Sequence, residues 1–274
     1  MKKNDTYSVL VMAGLAFLSA CSTPQNDIAP ATATSQTTVT PQSPVTAKQG
    51  LVVQITEFSI LANGEKTVKL NGKDLSVSWR LRNEYAYDAQ SRLISQKTKG
   101  QNNANWWEEL SYTYTPDLVQ RYQNSENKDL LNTLLLNMKG YLKGNSAPDE
   151  YGYDADGYLV SYKGNGQQDT YTIKNGNVIA KETVYSSGAV QKSVYEYDLT
   201  KLSIPSPLTF RGKQSQNLVT KQTMVTTSAT TGVSQTSVFT YQYDFDTQGR
   251  AVREFVVSAT DPNWPSSIRE FVYQ

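Results

Sequence analysis

Residues 151–163 read YGYDADGYLVSYK, and the reading of this stretch decides the fold. Tyr151 and Tyr153 alternate with a small residue, so on a strand both rings share one face. Asp154-Ala155-Asp156-Gly157 has the composition of a type I turn closed by a left-handed residue. In such a turn the aspartate bonds the backbone two residues on, and glycine takes positive φ without a Cβ penalty. Tyr158-Leu159 then begins a return strand. An EF-hand calcium loop is excluded by spacing, since it needs a later glycine and a glutamate at its twelfth position, where Asn165 stands; the spacing does not exclude a looser surface calcium site.

The unit recurs, as YAYDAQSRLISQK from Tyr85 and YQYDFDTQGRAVREF from Tyr241. Aligned on the turn, the copies are Asp154-x-x-Gly157, Asp246-x-x-Gly249, Asn137-x-x-Gly140 and Asp88-x-x-Ser91, with Ser91 the strained or differently built copy. Asn175-Gly176, Ser187-Gly188 and Thr115-Pro116-Asp117 supply further hairpin turns. Residues 129–139 conflict locally. Leu130, Leu131, Leu134, Leu135 and Met138 have helical spacing, whereas the Asn137 turn register demands a strand, and the register decides for strand. The expectation is an all-β protein, an antiparallel meander of Tyr-rich hairpins forming a strongly curved sheet or open barrel, in a single domain over 51–274.

The N-terminus reads as a secretory signal: Lys2 and Lys3, then an apolar run from Val9 to Leu18 that is too short to span a bilayer, which takes about 20 residues. Leu18-Ser19-Ala20-Cys21 resembles a bacterial lipobox, which implies cleavage after residue 20 and lipidation of Cys21. Cys21 is the only cysteine, so no disulfide forms within the chain. Residues 22–50, rich in Ser, Thr, Pro and Gln, read as a tether. Ser22 is unlike the aspartate that retains enterobacterial lipoproteins in the inner membrane, which points to the outer membrane. Loss of residues 1–20 takes two of 26 basic and one of 25 acidic residues, leaving 24 of each. A neutral chain without a basic block has no electrostatic footprint for nucleic acid.

The lipobox, the tether and the Tyr-x-Tyr-Asp hairpins together resemble the uncharacterised β-rich lipoproteins of Bacteroidota, a domain-of-unknown-function family. The hairpins themselves resemble the YD repeats of Rhs and wall-associated proteins. The resemblance spans about residues 80–274, and it implies that Ile204-Pro205-Ser206-Pro207 to Asn217-Leu218 is a long loop before the final strands.

The chain has no histidine. That removes Ser-His-Asp and Cys-His catalysis, histidine metal sites and the commonest general base, and no cofactor or metal site is expected. Ser125-Glu126-Asn127-Lys128 matches Ser-x-x-Lys but stands in a polar loop without the helix that chemistry uses. Glu108, Glu109, Asp154 and Asp246 are carboxylates of the type glycosidases pair, and Asp156 is the one turn acid without a structural role. Trp106-Trp107, adjacent on a strand, face opposite ways, so one ring stands off the core side, where with Tyr112 and Tyr114 it forms a candidate surface for a glycan, peptide or protein ligand. Trp264, between two prolines, reads as a loop residue closing one end of the sheet. The functional expectation is a lipid-anchored, non-enzymatic binding module. The alternatives are a carrier holding a lipid or acyl chain in the concave face and, last, a carboxylate-based glycan hydrolase.

Overall fold

The computed structural model describes residues 50–101, 107–123, 129–145 and 149–274, with Trp107 and Asn145 described by backbone alone. The first strands are β1 (Val52–Ile60), β2 (Lys66–Leu70), β3 (Lys73–Tyr87), β4 (Leu93–Gly100), β5 (Trp107–Tyr114) and β6 (Leu118–Gln123). There follow β7 (Asp129–Leu136), β8 (Leu142–Asn145), β9 (Glu150–Tyr153), β10 (Leu159–Gly164), β11 (Gln167–Lys174) and β12 (Asn177–Tyr185). The last are β13 (Val190–Leu202), β14 (Asn217–Thr227), β15 (Ser234–Phe245), β16 (Ala251–Ser258) and β17 (Pro265–Tyr273). Residues 129–136 are a strand, as the turn register demanded.

From β3 to β17 each strand pairs antiparallel with the next, and β1 pairs with both β3 and β17. The sheet therefore closes. Of its 17 strands, β2 pairs only with β3 and lies outside the ring, so the barrel has 16. Closure removes the two exposed edges that an open sheet of this width would present. The narrowest seam is β8–β9, where a single residue pair, Gly144 and Glu150, is in register.

The four Asp/Asn turns share one construction. The first side chain accepts backbone N–H bonds from Gln90 and Arg92 at Asp88, from Lys139 and Tyr141 at Asn137, from Gly157 and Tyr158 at Asp154, and from Gln248 and Arg250 at Asp246. Gly140, Gly157 and Gly249 occupy the left-handed region, and Ser91 is forced there too, at φ 61°. Ser91 is thus the strained copy. Asn175-Gly176 is a tight hairpin as expected, and Asn71-Gly72 and Asn165-Gly166 obey the same rule.

The second tyrosine of the motif has a structural job. In β3, β5, β13, β15 and β17 the last tyrosine donates its hydroxyl to a backbone carbonyl at the start of the preceding strand of the ring. These bonds are Tyr87 to Val52 (2.6 Å), Tyr114 to Leu93 (2.7 Å), Tyr197 to Val178 (2.5 Å), Tyr243 to Val219 (2.9 Å) and Tyr273 to Ala251 (2.6 Å). Most of these carbonyls lie beside register shifts, where the ladder leaves a backbone acceptor without its usual partner. Each hydroxyl bond is worth about 1 kcal/mol, and more where it prevents a buried carbonyl from going unpaired.

Two cores lie on opposite faces of the wall. On the inner face, Leu93, Leu110, Tyr112, Val119, Leu134 and Leu142 pack around Phe210. On the outer face the β2–β3 hairpin folds back, so that Val68, Leu70, Leu75 and Val77 cover Phe255, Val257 and Ile268. Asn71 Nδ2, at the hairpin tip, donates to the Pro262 carbonyl, and Lys73 lies over the Trp264 ring. Trp264 is a half-exposed loop residue at this end, as the flanking prolines implied.

Candidate functional site

Pairing registers place every residue of the ring on one of two faces. Tyr85, Gln96, Leu110 and Gln123 share a face, as do Tyr241, Val256, Glu254 and Arg269. The 203–216 segment identifies that face as the lumen. At one point Phe210 packs on Tyr112 of β5, with ring centroids 6.2 Å apart, and the Tyr153 hydroxyl of β9 bonds the Arg211 carbonyl. At another, Ile204, Pro205 and Pro207 share a cavity of about 400 Å³ with Ile55, Tyr243, Glu254, Arg269 and Phe271 from β1 and β15–β17. One segment touches strands far apart around the ring, so it crosses the interior.

It is pinned at that level by backbone bonds: Lys213 N–H to the Gly157 carbonyl, Gln216 N–H to Gly176 and Ser203 N–H to Gln216. Gly157 and Gly176 belong to turns at the end of the barrel where the chain enters at Gly50, whose neighbours are Gln274 and Arg250. The loop that the resemblance implied is therefore a plug at the entry end.

Beside and beyond the plug the lumen wall carries polar and charged side chains. Arg269 pairs with the almost buried Glu254 at 2.5 Å, and Arg80 pairs with Glu57. Burial pushes the Arg269 pKa down, but the Glu254 carboxylate outweighs it and leaves the guanidinium pKa raised. Asp169, nearly inaccessible, accepts from Lys181 (3.0 Å), Thr183 (2.7 Å), Tyr171 (3.1 Å) and Gln167 (3.2 Å). Burial pushes the phenols of Tyr85 and Tyr241 up to about 12.

The outer face carries a different set of charges. Cross-strand pairs Lys97–Glu109, Lys99–Glu84, Lys192–Glu182 and Lys221–Glu196 stand on it, the last near the middle of β13 and β14, and Arg253 bridges Asp244 and Glu270. A lipid-facing barrel wall presents an apolar band about 25 Å tall between aromatic girdles. This wall does not. No described helix is long and apolar enough to cross a membrane.

A second cleft, of about 520 Å³, opens beside the plug at the entry end. It is lined by Tyr141 and Tyr158 from the β7–β8 and β9–β10 turns and by Pro205, Ser206, Thr209, Gly212, Lys213, Gln214 and Gln216 from the plug. Its walls are fixed. The Tyr141 ring lies where a Cβ on Gly157 would sit, and the Tyr153 ring does the same at Gly212, so neither glycine has room for a side chain.

The residues singled out by sequence are scattered. Cys21, Trp106 and Ser125–Lys128 lie outside the described residues, as do the signal and residues 22–49 of the tether. Trp107 begins β5 opposite Lys99. Tyr112 is buried under Phe210, and Tyr114 is committed to its Leu93 bond. Glu108 faces the lumen and accepts from Gln123 at 3.3 Å, while Glu109 faces outward to Lys97. These adjacent acids therefore cannot act on one bond. Asp154 and Asp246 spend their carboxylates on turn N–H groups, and Asp156 stands exposed at its turn. Among the described residues no three His, Cys, Asp or Glu side chains are placed to hold a metal ion. Sequence reasoning passed over Tyr141, Tyr158 and Lys213. The first two directly follow Asp/Asn-x-x-Gly turns, but only the plug brings Lys213 to them.

No family model matches the chain, and no curated protein does. Solved structures do match in fold. A porin-like protein from Bacteroides uniformis is 11% identical with a TM-score of 0.55, the match covering 82% of this chain and 99% of that one. A porin-like protein from Bacteroides vulgatus is 13% identical with a TM-score of 0.51, with the same coverage of both chains. At these identities the likeness is one of fold alone.

Proposed function

We propose that this protein is a non-enzymatic binding module of the bacterial cell envelope, a plugged β-barrel held by a lipidated Cys21 and a Ser/Thr/Pro tether at the outer membrane. The envelope assignment is supported by the signal and lipobox pattern and by the porin-like name of the fold neighbours. The Tyr-x-Tyr-Asp hairpins, similar to YD repeats, serve in this reading as scaffold. The observation that carries the reading is the outer wall. Exposed ion pairs on it, Lys221–Glu196 near mid-strand among them, favour water over lipid, because a charge at the bilayer midplane of such a wall costs about 2–4 kcal/mol. The barrel stands on the membrane and does not span it.

The carrier alternative is disfavoured by a lumen lined with Glu, Arg, Asp and tyrosine hydroxyls, since an acyl chain gains nothing from such walls. A hydrolase is disfavoured by the commitment of the acids to turns, ion pairs and amides. Cys21→Ser is expected to move the protein from the membrane to the soluble fraction and to leave it monodisperse without detergent. Retention in the membrane, or ion conductance when the protein is added to planar bilayers, would refute the reading.

A further inference from the structure

We infer that the cleft between the plug and the β7–β8 and β9–β10 turns is a binding site for a saccharide bearing one anionic substituent. This deepens the binding-module reading and rests on it. Three features of the cleft point to that chemistry. The first is aromatic: Tyr141 and Tyr158 line it, and the Tyr141 ring packs tilted against Tyr153 with centroids 5.3 Å apart, which holds it as a fixed platform for the apolar face of a sugar ring.

The second is a pair of acceptors. Gln214 spends its Nε2 on Ser203 Oγ and the Ile204 carbonyl, and Gln216 spends its Nε2 on the Tyr158 hydroxyl. The Oε1 of each, on an exposed side chain lining the cleft, is left to accept from a ligand hydroxyl. Fixing the nitrogen fixes the amide, so the acceptors are already oriented before a ligand arrives.

The third is charge. Lys213 is the single charged residue of the lining, it is exposed, and no carboxylate among the described residues lies within ion-pair distance of it. Its ammonium sits over the Tyr158 ring, 5.6 Å from the centroid, a contact that leaves its three donors free for a carboxylate, sulfate or phosphate oxygen. Hydroxyl donors met by two amide oxygens, an apolar ring face met by tyrosine and one anion met by one lysine describe an acidic sugar. A volume of about 520 Å³ is within the usual range for small-ligand sites.

The test is calorimetric titration of the full chain with disaccharides that carry one carboxylate, sulfate or phosphate, each beside its neutral parent, cellobiouronic acid beside cellobiose among them. At least one acidic member is expected to bind 10-fold or more tightly than its parent. Lys213→Gln is expected to abolish that preference and to leave the weak binding of the parent unchanged. Tyr141→Leu is expected to weaken both, and Lys192→Gln on the outer wall neither. Absence of binding by every acidic member, equal binding of acid and parent, or a preference that survives Lys213→Gln would overturn the inference. None of these outcomes touches the fractionation result for Cys21→Ser, so the two readings fail separately.

Discussion

Lys181 and Glu182 are neighbours on β12, and they sit in different solvents. Lys181 points into the lumen and joins Asp169, whose side chain is 3% exposed and also holds Thr183, Tyr171 and Gln167. Glu182 points outward to Lys192, and those two side chains are 46% and 65% exposed. Both pairs span 3.0 Å. Equal geometry hides unequal consequence: the outer pair trades hydration for a screened attraction, whereas the inner carboxylate has given up nearly all its water and depends on its partners. The wall is thus one sheet with two chemistries, alternating residue by residue.

The largest effect that separates the two faces should come from alkali. Burial raises the lumenal phenols, those of Tyr85, Tyr241 and Tyr273 to about 12, whereas an unfolded chain ionises them near 10. Above that lower value the unfolded state has lost protons that the folded state retains, so stability is intact below about pH 10 and falls as pH rises further. Tyrosinate absorbance and loss of strand circular dichroism should therefore appear together. Full ionisation of the tyrosines in a still-folded barrel would show that the lumenal hydroxyls are not held.

Next in size is Asp169→Ala, which strands Lys181 and three hydrogen-bond donors inside. Urea unfolding should show a loss of about 3 kcal/mol. A smaller loss is expected for Tyr87→Phe, about 1–3 kcal/mol, because the carbonyl of buried Val52 is left without its donor. The outward Tyr122, which among the described residues bonds Gln120 on its own strand, should tolerate the same change with little loss. Smallest is Glu182→Gln, within about 0.5 kcal/mol of wild type, the usual scale for an exposed pair. Should Glu182→Gln cost as much as Asp169→Ala, the division into a hydrated outer face and a desolvated inner network would be lost.

Acid should act on the turns. Burial works against the Asp246 charge, but backbone and side-chain bonds from Arg250 outweigh it and hold its pKa below the ordinary value. At Asp88 the Arg92 backbone bond leads in the same direction. Both groups support the fold above the unfolded carboxylate pKa and cease to do so as pH falls through their lowered values. Asp246→Asn, which keeps the turn acceptor and removes the charge, should flatten that acid limb in a pH series of melting temperatures.

Much of the wall was legible because its rules are local. Asp154 and Gly157 define a turn wherever they occur, and Tyr151 and Tyr153 must share a face, so hairpins, alternation and even the strand at Asp129–Leu136 followed from spacing. The exposed side chains of Leu130, Leu131 and Leu135 show why hydrophobic periodicity misled there: they are outward residues of a strand, not the stripe of a helix. The cleft was not legible in the same way. Tyr141 and Tyr158 meet Lys213 only because residues 203–216 cross the interior, a contact with no periodicity to announce it.

The sequence by itself determined the repeating hairpin, its turn chemistry and the absence of histidine-based catalysis, since each depends on residues a few positions apart. Tertiary structure decided the rest. Whether the sheet closes depends on β1 meeting β17 from the far end of the described chain, and which face becomes the lumen depends on the curvature that closure imposes. Closure and curvature together set the solvent each charge sees, and therefore which tyrosines brace the barrel and which remain available to a ligand.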